Sequence, residues 1–409
     1  MPRTTTFRPA EGGVAAAKGF CAAGVRCGIK QNKTALDLGL ILSDRPCSAA
    51  ATYTTIAIPA ASVGWTRAVT KKGTAQAVVV NSGNANACTG EQGALDAASM
   101  ALATARQFEI DPEQVCVAST GIIGHPLPLE KVVGGIADAS EAIGPGPRAG
   151  ADFARAIMTT DTCPKTAAIQ TVIGGKVVTI GGSAKGSGMI APNMATMLSF
   201  ITTDAAISPA MLRKALKAAV DVSFNRITID GDMSTNDTLL VLANGAARNR
   251  VIDKPGRAFN QFAAALRVVS IQLAQMLVRD GEGATKFVEI RVKRAASAKD
   301  ATTVAKAVAN SPLVKCAING GDPNWGRIIC RAAGCGAKLD GDKTTLKIGG
   351  KLAFVKGLPA DTPQAELAAA MKPDDIEIEL DLGLGKGAAT VWTCDLSREY
   401  VTINADYHT

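Results

Sequence analysis

The sequence predicts an α/β fold, or a closely mixed α+β one, on three observations. Short apolar β-like runs alternate with helical ones along the whole chain, two Gly-Gly pairs each sit between strand-like segments, and several helix starts carry legible caps. Residues 76–81 (QAVVVN) read as a buried strand that runs into a Gly- and Asn-rich loop at 82–90, and residues 115–119 (VCVAS) as a second short apolar strand ending at Thr120-Gly121. Residues 171–173 and 176–180 flank Gly174-Gly175, a two-residue hairpin signal; residues 343–348 and 351–355 repeat it around Gly349-Gly350. Ile376, Ile378 and Leu380 alternate with Glu377, Glu379 and Asp381, the pattern of a strand with one wet face.

Helices are marked by period and caps. Ser208 caps and Pro209 opens a helix whose apolar face is Met211, Leu212, Ala215, Leu216, Ala219 and Val220. Thr362-Pro363 opens another, and residues 258–278 form a long amphipathic segment with Phe259, Phe262, Leu266, Val269, Leu273, Met276 and Leu277 inward. The Gly/Pro-rich stretch 144–150 and the stretch 181–193 are the expected domain boundaries. No repeat of solenoid period is present.

Composition excludes several classes of function. The net charge is +8, from 44 basic and 36 acidic residues, but the charges are dispersed and aromatics are only 4%. A nucleic-acid binder clusters its basic residues and interleaves aromatics, so none is expected here. The densest basic knot, residues 291–294 (RVKR), lies in a β-like run. Only two histidines occur, His125 and His408, which argues against histidine-rich metal sites and against a Ser-His-Asp relay. None of the ten cysteines forms a CxxC pair, the usage of a reduced, cytoplasmic protein. No uninterrupted apolar stretch approaches the ~18 residues of a bilayer span, and no signal core opens the chain.

The most unusual passage is residues 181–200, GGSAKGSGMIAPNMATMLSF, in which glycines and small residues lead to Thr196. Composition alone fits a flexible interdomain loop entering a strand. The shortage of histidine suggests another use. Acyl transfer needs a nucleophile with a base in reach, and a threonine freed at its amino side carries its own base. Its α-amine has an ordinary pKa of about 7.7–8.0, and the small Ala195 with the upstream glycines leaves room for the chain to kink for self-cleavage.

Residues 185–200 resemble the self-processing site of the ornithine acetyltransferase (glutamate N-acetyltransferase) family of arginine biosynthesis. Further blocks agree in order: 19–30 (GFCAAGVRCGIK), 81–88 (NSGNANAC), 119–124 (STGIIG), 158–165 (MTTDTCPK), 223–238 (SFNRITIDGDMSTNDT), 280–286 (DGEGATK), 321–328 (GDPNWGRI) and 404–409 (NADYHT). The resemblance implies a layered α/β fold akin to self-cleaving N-terminal-nucleophile aminopeptidases. It makes Thr196 the nucleophile, freed by a cut between Ala195 and Thr196 into chains 1–195 and 196–409. It assigns Thr120 and Gly121 to the oxyanion hole and Thr162, Lys185, Thr196, Glu282, Asn404 and Thr409 to substrate. The implied reaction moves acetyl from N2-acetyl-L-ornithine to L-glutamate through acetyl-Thr196, without cofactor or metal. Use of acetyl-CoA stays open. A cytoplasmic heterotetramer of two chains of each kind is implied, and an amidohydrolase on the same scaffold is the rival.

By charge, Lys185 suits an α-carboxylate and Glu282 the ornithine ammonium. Asp230, Gly231, Asp232 and Asp237 resemble the start of a calcium loop but lack its downstream bidentate glutamate, so no metal is expected. Residues 83–86 (GNAN) are candidates to line the pocket with backbone amides, residues 225–226 and 322–327 to brace it, and His125 reads as a loop residue.

Overall fold

The computed structural model describes residues 6–191 and 197–406. Among them, fifteen strands form two sheets. The first contains β1 (Arg8–Pro9), β2 (Phe20–Val25), β3 (Leu38–Tyr53), β4 (Thr74–Asn84), β5 (Val115–Ile122), β6 (Lys165–Ile173), β7 (Lys176–Lys185), β8 (Leu198–Thr203) and β9 (Thr238–Ala243). The second contains β10 (Phe287–Ala295), β11 (Thr345–Ile348), β12 (Lys351–Val355), β13 (Leu358–Pro359), β14 (Asp375–Asp381) and β15 (Gly387–Cys394). The first sheet has the order β1-β6-β7-β8-β9-β3-β4-β5 with β2 added alongside β3, and the second the order β13-β12-β11-β14-β10-β15.

Among the described residues eleven α-helices cover these sheets: α1 (Ala61–Lys71), α2 (Gly90–Phe108), α3 (Leu129–Ala142), α4 (Gly146–Ala156), α5 (Pro209–Val220), α6 (Arg257–Arg279), α7 (Ala298–Ala309), α8 (Pro312–Asn319), α9 (Trp325–Ala333), α10 (Gln364–Ala370) and α11 (Arg398–Asp406). This is the α/β layered fold expected. In the first sheet the parallel pairs, β4 with β5 and β8 with β9, enclose α2 and α5, because a parallel crossover has to travel back along the sheet; in the second, β10 and β14 are also parallel.

The local signals mean what their chemistry suggests. Gly174 and Gly175 both take positive φ, 58° and 79°, the mirror-image turn that matches strand twist, and Gly349-Gly350 does the same between β11 and β12. The Ser208 hydroxyl accepts the Met211 amide at the start of α5. Helix α6 is long and apolar enough to span a bilayer by composition, yet its stripe of Phe259, Phe262, Leu266, Val269, Leu273 and Leu277 is buried with Ile169, Val178 and Ile180 of β6 and β7. The basic knot is spent on ion pairs: Arg291 with Glu289 on its own strand and with Glu377 across to β14, Lys293 with Glu379, and Arg294 with Asp381 at 2.6 Å.

Parts of both expected boundaries belong to regular elements. Gly146 opens α4, and residues 181–185 lie inside β7, where glycine serves close approach instead of flexibility. A Cβ on Gly181 would stand 2.1 Å from the Gly13 carbonyl oxygen, and one on Gly182 would stand 2.9 Å from Ile201. Strands β7 and β8 are adjacent, Lys185 opposite Leu198, so residues on either side of the 195/196 junction share one sheet.

Candidate active site

The site starts where β4 and β5 run side by side. Ser82 pairs with Thr120 and Gly83 with Gly121, and the ladder then slips at Asn84. Gly121 takes φ +132°, and a Cβ there would lie 2.4 Å from the Gly83 carbonyl carbon and 2.5 Å from the Asn84 nitrogen. Only glycine meets both constraints. The neighbouring asparagines build the loop and do not face the cleft. Asn81 Nδ2 donates to the Asn84 carbonyl, Asn84 Nδ2 to the carbonyls of His125 and Pro126, and Asn86 Nδ2 to that of Gly93. Residues 27–30 are likewise wound around one carboxylate, Asp37, which accepts their four successive amides.

Lys185 ends β7 and is buried. Its Nζ donates to Thr120 Oγ1 at 3.2 Å and to Thr159 Oγ1 at 2.7 Å. Burial pulls its pKa down, while Asp161, Asp237 and Glu282 support the charged form. Behind it, buried Lys165 bridges Asp161 at 2.6 Å and Asp280, and Asp161 also accepts the amides of Gly186 and Thr159. Burial alone would raise the Asp161 pKa, but Lys165 and Lys185 overcome it and hold the carboxyl at about 2. This carboxylate ties the end of β7 to the 159–165 segment.

The opposite wall is set by glycine and a second carboxylate. The Glu282 amide donates to the Ser187 carbonyl at 2.8 Å, and its carboxylate accepts Asn404 Nδ2 of α11 at 2.8 Å. A Cβ on Gly188 would fall 2.4 Å from Glu282 Oε2, so the carboxylate lies directly against that backbone. Asp230 takes up the amides of Met189 and Ile190 and that of Asp232, and also accepts Tyr400 Oη at 3.4 Å. Asp230 thus anchors residues 189–190, and among the described residues no group of His, Cys, Asp and Glu is arranged to hold a metal.

These walls line a cleft that opens to solvent. Thr120, Gly121, Lys185, Glu282 and Asn404, five of the expected site residues, all line it, together with Met197. Ala195, Thr196 and Thr409 lie outside the described residues. Thr162 is not in the lining; its hydroxyl and amide both bond Asp280, while Thr159 and Thr160 face the cleft instead. Residues 225–226 and 322–327 are not in the lining either. Arg226 reaches Thr302, and Asn324 caps α9 through the Arg327 amide.

From the block 223–238 the lining also takes Ser234, Asn236 and Asp237, none of them among the expected substrate or catalytic residues. Asn236 Nδ2 donates to the carbonyls of Ala85 and Ser119, joining β4, β5 and β9 beneath the cleft. Asp237 is 3% exposed, and burial pushes its carboxyl well above the usual carboxylate range, against the pull of the Met197 amide and Lys185. In the sequence Ser234 and Asn236 show only as members of the block 223–238, and Asp237 also as part of the calcium-loop-like run.

Comparison with known proteins gives a consistent answer. The profile of the ArgJ family matches residues 21–409. The arginine biosynthesis bifunctional protein ArgJ of Symbiobacterium thermophilum is 52% identical over 400 residues, covering 97% of this chain and 99% of its own. The protein of the same name from Listeria monocytogenes is 47% identical over 400 residues, covering 98% and 99%. The crystal structure of the arginine biosynthesis bifunctional protein ArgJ from Bacillus halodurans superimposes with a TM-score of 0.51 at 41% identity; all of that chain is matched by 52% of this one.

Proposed function

This chain belongs to the ArgJ family, and from that membership we propose that it is an acetyltransferase of arginine biosynthesis that passes acetyl from N2-acetyl-L-ornithine to L-glutamate by way of Thr196. The observation that carries the reading is the convergence on one cleft of Thr120, Gly121, Lys185 and Glu282, with Met197, the residue bonded to Thr196, in its wall.

Each residue has a task that its surroundings support. The precursor cuts itself before Thr196, and the freed α-amine, with an ordinary pKa of about 7.7–8.0, takes the proton of the threonine hydroxyl. The hydroxyl oxygen attacks the acetyl carbonyl. The Thr120 hydroxyl and the Gly121 amide hold the oxyanion, ornithine leaves, and acetyl remains as an ester. Glutamate then enters the same cleft and removes it. Lys185 spends two of its three N–H donors on Thr120 and Thr159, leaving one for an α-carboxylate. Glu282 offers a carboxylate to the ornithine ammonium. One cleft serves both substrates because both present the same α-amine and α-carboxylate.

The length of the Bacillus halodurans chain supports the cut: wholly matched, it spans about half of this one, as a chain of residues 196–409 would. The active form is a cytoplasmic assembly of two chains of each kind, and acetyl-CoA is a second candidate donor for the same ester. The test is denaturing mass spectrometry combined with an assay. The purified protein should give fragments meeting at Ala195-Thr196 and transfer acetyl to glutamate, and Thr196→Ala should stay whole and inactive. Retained transfer by Thr196→Ala would remove the nucleophile, and release of free acetate in place of acetylglutamate would make the protein a hydrolase.

A further inference from the structure

Asp237 precedes β9 and its backbone is fixed on both sides. Its carbonyl accepts the Thr54 amide at 2.9 Å, and the next amide, that of Thr238, donates to the Met197 carbonyl at 3.0 Å. The side chain is buried, belongs to the cleft wall beside Lys185 and Met197, and is held by the Met197 amide and by Ser234. Its second oxygen, Oδ2, is buried without a hydrogen-bond partner among the described residues. A buried polar atom left unpaired is costly, and more so when charged. The low exposure favours the uncharged acid, which has an O–H to give and, among the described residues, no acceptor for it.

Resting on the reading that acetyl moves from an amine to Thr196, we propose that Asp237 is a catalytic acid of that reaction, its Oδ2 delivering the proton to the departing amine nitrogen. An amide nitrogen is a poor leaving group unless it is protonated as it goes. In the first half-reaction the Thr196 hydroxyl proton passes to the Thr196 amine as the new C–O bond forms and the carbonyl electrons move to the oxyanion. The oxyanion then re-forms the carbonyl, the C–N bond breaks with its electron pair on nitrogen, and that nitrogen takes the Asp237 proton. The acyl-enzyme holds a carboxylate at Asp237 and an ammonium at Thr196. In the second half the glutamate amine attacks and gives its proton back to Asp237; the C–O bond to Thr196 breaks, and the threonine oxygen recovers a proton from the ammonium. No proton is gained or lost over the cycle.

The experiment compares two donors that differ in their need for an acid. N-acetylornithine expels an amine; p-nitrophenyl acetate expels a phenolate that leaves without a proton. Asp237→Asn keeps size and polarity but has no acidic proton. The variant, first shown by fragment masses to be cut, should lose about 10²–10⁴-fold in acetyl transfer from N-acetylornithine, while its burst rate of p-nitrophenol release, read without glutamate so that only acylation counts, stays within about threefold. Equal loss with both donors, no loss with either, or a chain that remains uncut overturns the proposal. Should the asparagine variant not fold, Asp237→Ser is read by the same ratio of donors. The underlying reading fails separately: Thr196→Ala would then react like the parent with both donors.

Discussion

Lys185 Nζ donates to Thr120 Oγ1 at 3.2 Å, and this contact orients the hydroxyl. An ammonium has donors and no acceptor, so the threonine oxygen receives and its own proton must point elsewhere. The free proton of Thr120 and the amide of Gly121 are the two donors proposed for the oxyanion, and a nearby positive charge strengthens the first of them. The residue assigned to bind a carboxylate is therefore also the one that aims the hydroxyl.

Thr120→Val should lower kcat by about 10²–10³, the effect of removing one oxyanion donor, about 2.7–4 kcal/mol of barrier. Thr120→Ser, which keeps the oxygen on Lys185, should stay within about tenfold of the parent. Steady-state kinetics with N-acetylornithine and glutamate decide it; a valine variant within threefold of the parent would take Thr120 out of the mechanism.

Much of this arrangement is legible in the chain, for a reason that varies by residue. The hairpins at Gly174-Gly175 and Gly349-Gly350 and the Ser208 cap are local, and local chemistry predicts them. The five cleft residues come from ordered blocks that resemble a known family, not from any periodicity. What is hidden is long-range pairing. Nothing near Lys165 announces Asp280, 115 positions away, and nothing near Asn236 announces Ala85 and Ser119. The glycines of 181–185 misled because close approach of Gly13 and Ile201 demands the same residue that flexibility does. The resemblance assigns Thr162 to substrate; in the structure its hydroxyl bonds Asp280, while Thr159 and Thr160 of the same block line the cleft.

Gly121→Ala should destabilise the fold and not only the chemistry. The backbone sits at φ +132°, and the new methyl would meet the Gly83 carbonyl carbon at 2.4 Å. Backbone strain alone is on the order of 1–3 kcal/mol, and the contact adds to it. Urea unfolding of the variant should show a midpoint clearly below the parent's; an unchanged midpoint would mean that β4 and β5 part easily here.

Gly188→Ala separates binding from stability. Gly188 has no positive φ, so alanine meets no backbone penalty, but its methyl would overlap the Glu282 carboxylate at 2.4 Å. Glu282 must swing away and lose Asn404. The KM for N-acetylornithine should rise by about tenfold or more with the melting temperature little changed. A rise in KM absent despite a folded variant would separate Glu282 from the substrate's side chain.

The buried cluster of Asp161, Lys165 and Asp280 gives stability a defined pH dependence. Asp161 is held at about 2, below its ordinary 3.8, so its ionised form is favoured by folding. That contribution is complete above the ordinary value and is lost as pH falls from about 4 toward 2, because the unfolded chain takes up its proton first. Lys165 is shifted upward, with burial opposing the two carboxylates that raise it, so its share persists through neutrality and disappears only in alkali. Lys165→Met would leave two carboxylates buried without their shared cation, a loss of about 3–5 kcal/mol. The neutral side chain also removes a charge that keeps Asp161 ionised, so the variant's acid transition should move to higher pH. Unfolding free energies measured between pH 7 and pH 2 for both proteins check this. A variant with the parent's midpoint at every pH would show that Lys165 contributes packing and no charge.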